Sequence, residues 1–328
     1  MILVTGGAGF IGSNIVASLA ARGELVVVSD HLGTSDKWRN IAKHEIADLI
    51  PPARCVDWLA AKHDRIRAVV HMGAISTTTE ADGDRLVENN IRLSLDLWSF
   101  CVAREKPLIY ASSAATYGDG AAGFDDDGSP AALGKLRPLN GYGWSKHVVD
   151  RSIARRVAMG EPVPPQWVGL KFFNVYGPNE YHKGPMRSVL AQLHQQARTT
   201  GRLRLFKSNR ADYADGSQLR DFVYVRDCAE VALWLLDHPR VSGLFNLGSG
   251  KVRSFLDLAH ALMKVMPEPK LELEFFDMPA DLACRYQSFT EAKMTRLRAA
   301  GYKKPFTSLE DGVADYVRNF LEKPDPYR

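Results

Sequence analysis

Residues 4–14 read Val-Thr-Gly-Gly-Ala-Gly-Phe-Ile-Gly-Ser-Asn, and this stretch decides the fold. Its glycines fit two overlapping registers, Gly7, Gly9, Gly12 and Gly6, Gly9, Gly12. In either register a strand turns sharply into a helix while its backbone approaches a ligand. Glycine permits the positive φ such a turn needs and removes the Cβ that would block the approach. The helix start then offers free N–H groups and a positive dipole end to a pyrophosphate. The context supports a dinucleotide. A β-branched run at 2–5 precedes the turn and a helical pattern at 10–22 follows it. Asp30 ends the next strand, 18 residues after Gly12. An acidic side chain there accepts a hydrogen bond from a ribose 2′-hydroxyl, whereas Lys37 and Arg39 nearby could hold a 2′-phosphate. These residues leave NAD and NADP both open.

The same alternation continues outward. Residues 25–29, 68–71 and 108–112 are strand-like, and 37–49, 84–104 and 143–158 carry helical patterns. Short apolar runs between amphipathic helices predict an α/β fold, a Rossmann-type doubly wound parallel sheet with both faces covered. Segments 119–134 and 208–218 are polar or glycine-rich and read as loops. Beyond residue 172 the rhythm weakens, yet 222–225 and 244–247 still read as strands of the main sheet. The expected organisation is therefore interleaved. Residues 1–171 plus about 221–248 form a dinucleotide domain, and 172–220 plus about 249–328 a smaller α/β substrate domain.

Composition bounds the function. The 328 residues are 45% hydrophobic and 24% charged with a net charge of +4, which suits a folded globular chain. Basic residues form no run of five, so nucleic acid is not an expected partner. Cys55, Cys101, Cys228 and Cys284 lie far apart without metal-ligand spacing, which predicts reduced thiols and no metal site. No apolar stretch reaches the roughly 18 residues of a membrane span, and a strand starting at Ile2 leaves no signal peptide. A cytoplasmic protein without membrane association is expected.

Tyr142 and Lys146 are spaced i, i+4, on one helix face. A phenol titrates at about 10 in water, and a neighbouring ammonium and a cationic nicotinamide favour its phenolate. Ser113 follows the strand at 108–112, at the sheet end where ligands of open α/β folds bind. Its hydroxyl could polarise a substrate carbonyl, or simply close a turn.

Three stretches together resemble the extended short-chain dehydrogenase/reductases: Thr5-Gly6-Gly7-Ala8-Gly9-Phe10-Ile11-Gly12, Ala111-Ser112-Ser113-Ala114-Ala115-Thr116-Tyr117-Gly118 and Tyr142-Gly143-Trp144-Ser145-Lys146. His71-Met72-Gly73-Ala74 and Phe222-Val223-Tyr224-Val225 with Asp227 belong to the same resemblance, which spans essentially the whole chain. It implies a catalytic set of Ser113, Tyr142 and Lys146 and a nucleotide-sugar in the second domain.

Further stretches are similar to the branch of that family that inverts C6 of an ADP-linked heptose. They include Thr77-Thr78-Thr79-Glu80, Phe173-Asn174-Val175-Tyr176-Gly177-Pro178, His182-Lys183-Gly184 and Arg285-Tyr286-Gln287. This likeness implies Lys183 as a second acid/base opposite Tyr142. It implies an ADP-heptose ligand touching Ser113, Asn174, Lys183, Phe206, Arg220 and Tyr286. The dinucleotide would meet Gly6, Gly9, Phe10, Ile11, Gly12, Asp30, His31, Lys37, Gly73, Ala74, Ser76, Asn89, Lys146 and Val175. It further implies NADP, with NAD as the alternative, and a homo-oligomer. Two loops, between Tyr117 and Tyr142 and between Phe206 and Arg220, are longer than the branch's usual form. Pro185 stands in place of a small hydroxyl residue and Gln192 in place of a histidine. Dehydratase relatives carry an Asp-Glu pair where this chain has Ala114 and Ala115, which argues against dehydration. A UDP-hexose 4-epimerase and a non-catalytic cofactor sensor remain as rival readings.

Overall fold

The computed structural model describes residues 1–268, 270–279 and 287–328. Its strands are β1 Ile2–Thr5, β2 Val26–Ser29, β3 Asp48–Ile50, β4 Ala68–His71, β5 Leu108–Ser113, β6 Trp167–Phe172, β7 Asn174–Tyr176, β8 Arg202–Phe206, β9 Leu219–Tyr224, β10 Gly243–Leu247, β11 Val252–Ser254 and β12 Glu272–Phe276. Seven of them form one sheet in the order β10-β6-β5-β4-β1-β2-β3, with every pairing parallel. β1, β2 and β4 are buried along their whole length, because helices cover both faces. Strand order reverses between β1 and β4, and a ligand crevice opens at that switch point.

The smaller domain has its own core, in which Leu190, Leu203, Leu258, Leu262, Val313 and Tyr316 pack together. Its sheets are β11-β9-β7 and β12-β8. Two expectations are corrected here. Residues 222–225 do not join the main sheet: β9 pairs antiparallel with β11 and parallel with β7, and Val225 already starts the helix Val225–Asp237. An apolar run shows burial but not which sheet buries it. The helix expected over 37–49 is a single tight turn, Asp36–Asn40, followed by bends and the edge strand β3. Side-chain bonds direct the chain there: the buried Asn40 amide donates to Ala8 O at 2.8 Å and Asn179 O at 3.1 Å.

Candidate active site

One cavity of about 660 Å³ runs from the glycine loop into the smaller domain. At its first end Gly6 has φ +63°, and a Cβ there would lie 2.6 Å from Gly73 Cα. The tips of β1 and β4 can touch only without that atom. A Cβ on Gly12 would stand 2.1 Å from Gly6 O. The helix Phe10–Ala21 begins at Gly9 with no side-chain cap, so its first N–H groups face the cavity unclaimed by a side chain. This cradle fits a pyrophosphate. Gly12→Ala is expected to lower dinucleotide affinity at least about tenfold through overpacking. Chromatography of cofactor released from the purified variant and parent would check it.

Asp30 closes the loop. Its carboxylate accepts from Ala8 N at 2.9 Å and from Lys37 Nζ at 2.6 Å, and Lys37 also donates to His31 O at 2.8 Å. Phe10, Ile11, Asp30, Lys37, Gly73, Ala74, Ser76 and Val175 all line the cavity. His31 and Asn89 do not. His31 is exposed, and the Asn89 amide donates to Arg85 O at 2.8 Å. The neighbouring Asn90 is the one turned inward. It accepts from Ile75 N at 2.8 Å, donates to Ile75 O at 3.0 Å, and donates to Ser145 Oγ at 2.9 Å. A π-helical stretch, Val87–Arg92, lies between the helices on either side, so helical spacing could not tell the two asparagines apart.

Tyr142 and Lys146 sit on the helix Gly141–Ala158, whose Asn140 cap accepts from Gly143 N at 2.8 Å. Gly143 brings that helix against the turn after β5, since a Cβ there would meet Ala115 O at 2.7 Å. Ser113 ends β5, and its hydroxyl accepts from Ala115 N at 3.1 Å. It therefore closes the turn, and it also lies within hydrogen-bonding reach of the Tyr142 phenol. Burial holds that phenol above its ordinary value, and the Ser113 contact opposes the shift. Lys146 is 2% exposed, and its buried ammonium has no hydrogen-bond partner among the described residues. Burial pulls it down to about 8, against the pull of Asp150. A buried donor left open beside a cavity suits a ligand hydroxyl such as a ribose.

Lys183 lines the same cavity from the turn Tyr181–Met186, with Nζ 5.3 Å from the Phe10 ring centroid. Gly184 at φ +54° makes that turn possible. Burial lowers the Lys183 pKa and the Glu180 carboxylate partly restores it. Glu180, fully buried, accepts from Ser188 Oγ at 2.7 Å and so fixes the turn to the following helix.

At the far end Asn174, Phe206 and Arg220 reach the cavity wall. Phe206 packs on Phe276 at 4.7 Å, and the Arg220 guanidinium lies 5.4 Å from the Phe255 ring. Rings and guanidinium groups at one wall suit a nucleoside diphosphate. Arg204, Phe255 and Phe276 belong to this wall and carried no motif that the sequence reading could use. Tyr286 lies outside the described residues. No cluster of metal-ligating side chains occurs among the described residues. None of their helices is long and apolar enough to cross a membrane.

Comparison with known proteins agrees with this architecture. The ADP-L-glycero-D-manno-heptose-6-epimerase of Fusobacterium nucleatum is 47% identical, with both chains covered in full. That of Nitratidesulfovibrio vulgaris is 48% identical, again over the full length of both. The crystal structure of the Helicobacter pylori ADP-L-glycero-D-manno-heptose-6-epimerase superimposes with a TM-score of 0.78 at 26% identity, covering 97% of this chain and 95% of the other. The UDP-glucose 4-epimerase of Thermus thermophilus, solved with NAD, gives 0.77 at 26% identity, covering 98% and 99%. The profile of the NAD dependent epimerase/dehydratase family matches residues 2–248, and the chain belongs to that family.

Proposed function

We propose that this protein inverts C6 of the heptose in ADP-D-glycero-D-manno-heptose, giving the L-glycero form for lipopolysaccharide core synthesis. Full-length identity to heptose 6-epimerases supports this reading. The observation that carries it is a single cavity lined by the glycine loop and by two proton-transfer groups, Tyr142 and Lys183. A proton-transfer group on each side of the reacting carbon serves inversion through a ketone, one for oxidation and one for reduction after the carbonyl turns.

The glycine loop, Asp30 and Lys146 would hold a nicotinamide dinucleotide, which when bound would supply reversible hydride transfer. Lys146, whose ammonium has no partner among the described residues, would hold the cofactor's ribose and keep the phenol's surroundings cationic. Tyr142 receives the C6 hydroxyl proton on one face, with Ser113 orienting the same oxygen. Lys183, made less cationic by burial, exchanges a proton with the ketone oxygen once the opposite face is presented. Asn174, Arg220 and Phe206 hold the ADP-sugar, so it does not leave between the two half-reactions.

For the cofactor we favour NADP, with NAD also accepted. Lys37 spends two of its three donors on Asp30 and His31 O, so it offsets the carboxylate charge and keeps one donor for a 2′-phosphate. We further propose that the protein works in the cytoplasm as a homo-oligomer. The test is an assay of the purified protein, without added cofactor, on ADP-D-glycero-D-manno-heptose and on UDP-galactose. Turnover of the heptose is expected; turnover of UDP-galactose alone would replace this reading with a 4-epimerase.

A further inference from the structure

Beneath the catalytic residues lies an ion pair that takes no part in the proton transfers described above. The Asp150 and Lys171 side chains are both 0% exposed and 2.9 Å apart. Asp150 stands one turn beyond Lys146 and two beyond Tyr142 on the same helix face. Its carboxylate also accepts from Ser112 Oγ at 2.7 Å and Tyr110 OH at 3.2 Å, both on β5. Lys171, on β6, donates to Thr116 Oγ1 at 2.6 Å, and Thr116 in turn donates to Ser113 O at 2.8 Å. The pair thus ties the helix bearing Tyr142 and Lys146 to the strand and turn bearing Ser113.

Stability alone does not require charges here, because well-packed apolar residues of similar volume commonly serve a buried site as well. The surrounding titratable groups are His71 from β4, Tyr110 from β5, Tyr117 from the turn after it, and His147 from the catalytic helix. Burial pushes His71 down to about 3 and His147 to about 4, and raises both tyrosines well above their ordinary value. All four are neutral at pH 7; the charges that face them are the Asp150–Lys171 pair, the Lys146 ammonium one turn away, Asp126 beside Tyr117, and Arg137 and Arg151 beside His147.

We propose that Asp150 and Lys171 are positioning residues that hold Ser113 against Tyr142 and keep the layer under Tyr142 and Lys146 electrically balanced. The positioning half rests on the acid/base roles proposed above; the electrostatic half needs only that Tyr142 titrates in the cofactor-loaded protein. Losing one charge leaves the other uncompensated, and the two losses act with opposite sign on a phenol.

The test is the phenolate absorbance of the cofactor-loaded protein against pH, taken as the difference from Tyr142→Phe. Asp150→Asn should move the Tyr142 midpoint down by about one pH unit, and Lys171→Met should move it up by a similar amount. The double variant should return it to within about half a unit. Midpoints that do not move, or that move in the same direction, overturn the electrostatic half whatever the substrate proves to be. Asp150→Glu keeps the charge and shifts the carboxylate by one methylene, so it stays informative should the neutral single variants not fold. It should leave the midpoint in place and lower kcat at least about tenfold. Unchanged kcat in that variant overturns the positioning half, and absence of epimerase activity in the parent would instead count against the proposed function.

Discussion

Replacing Tyr142 with Phe is expected to lower kcat for C6 epimerisation by about 10³-fold, within the range that a positioned acid/base contributes. The phenol lines the cavity beside Ser113, and the buried Lys146 lies one helical turn along. Its removal takes away one proton acceptor and leaves the glycine cradle intact. Cofactor content should therefore match the parent. Measuring kcat together with released dinucleotide separates this outcome from a folding defect: loss of both would mean structural damage. Retained activity would remove Tyr142 from the chemistry.

Lys183→Met is expected to cost about 10²-fold or more in kcat, with cofactor content unchanged. Methionine keeps most of the length of the side chain whose ammonium end lies over the Phe10 ring, so the turn Tyr181–Met186 should keep its shape. What disappears is the second proton-transfer group. A variant confined to one face can oxidise substrate and re-reduce it to the starting epimer, but it cannot invert it. Monitoring product by the proton signals of the two epimers would show the substrate persisting. Full turnover by Lys183→Met would assign the opposite face to another group, with His182 on the same wall the next residue to test.

The fold was legible in the sequence wherever local chemistry dictates local shape. Gly6, Gly9 and Gly12 specify a turn that other residues cannot make, and the Val- and Ile-rich strands on either side announce a sheet covered on both faces. Tyr142 and Lys146 were legible because four residues on a helix are neighbours whatever the tertiary context. The errors share a physical cause, which is dependence on distant partners. Residues 222–225 looked like a core strand, and they are buried, yet 222–224 pair with β7 rather than with the main sheet and Val225 already starts a helix. The 37–49 segment has helical spacing that tertiary bonds from Asn40 override. The Asp150–Lys171 pair was invisible for the same reason: its partners lie 21 residues apart and meet only once the helix packs on β6.

The central claim is that C6 is oxidised and then reduced with the hydrogen it gave up. It is tested most directly by supplying ADP-D-glycero-D-manno-heptose deuterated at C6 to the purified protein in ordinary water. The L-glycero product is expected to keep its deuterium through complete conversion. Deuterium lost to solvent as the product forms would contradict it, because inversion would then proceed by removal of a proton from carbon.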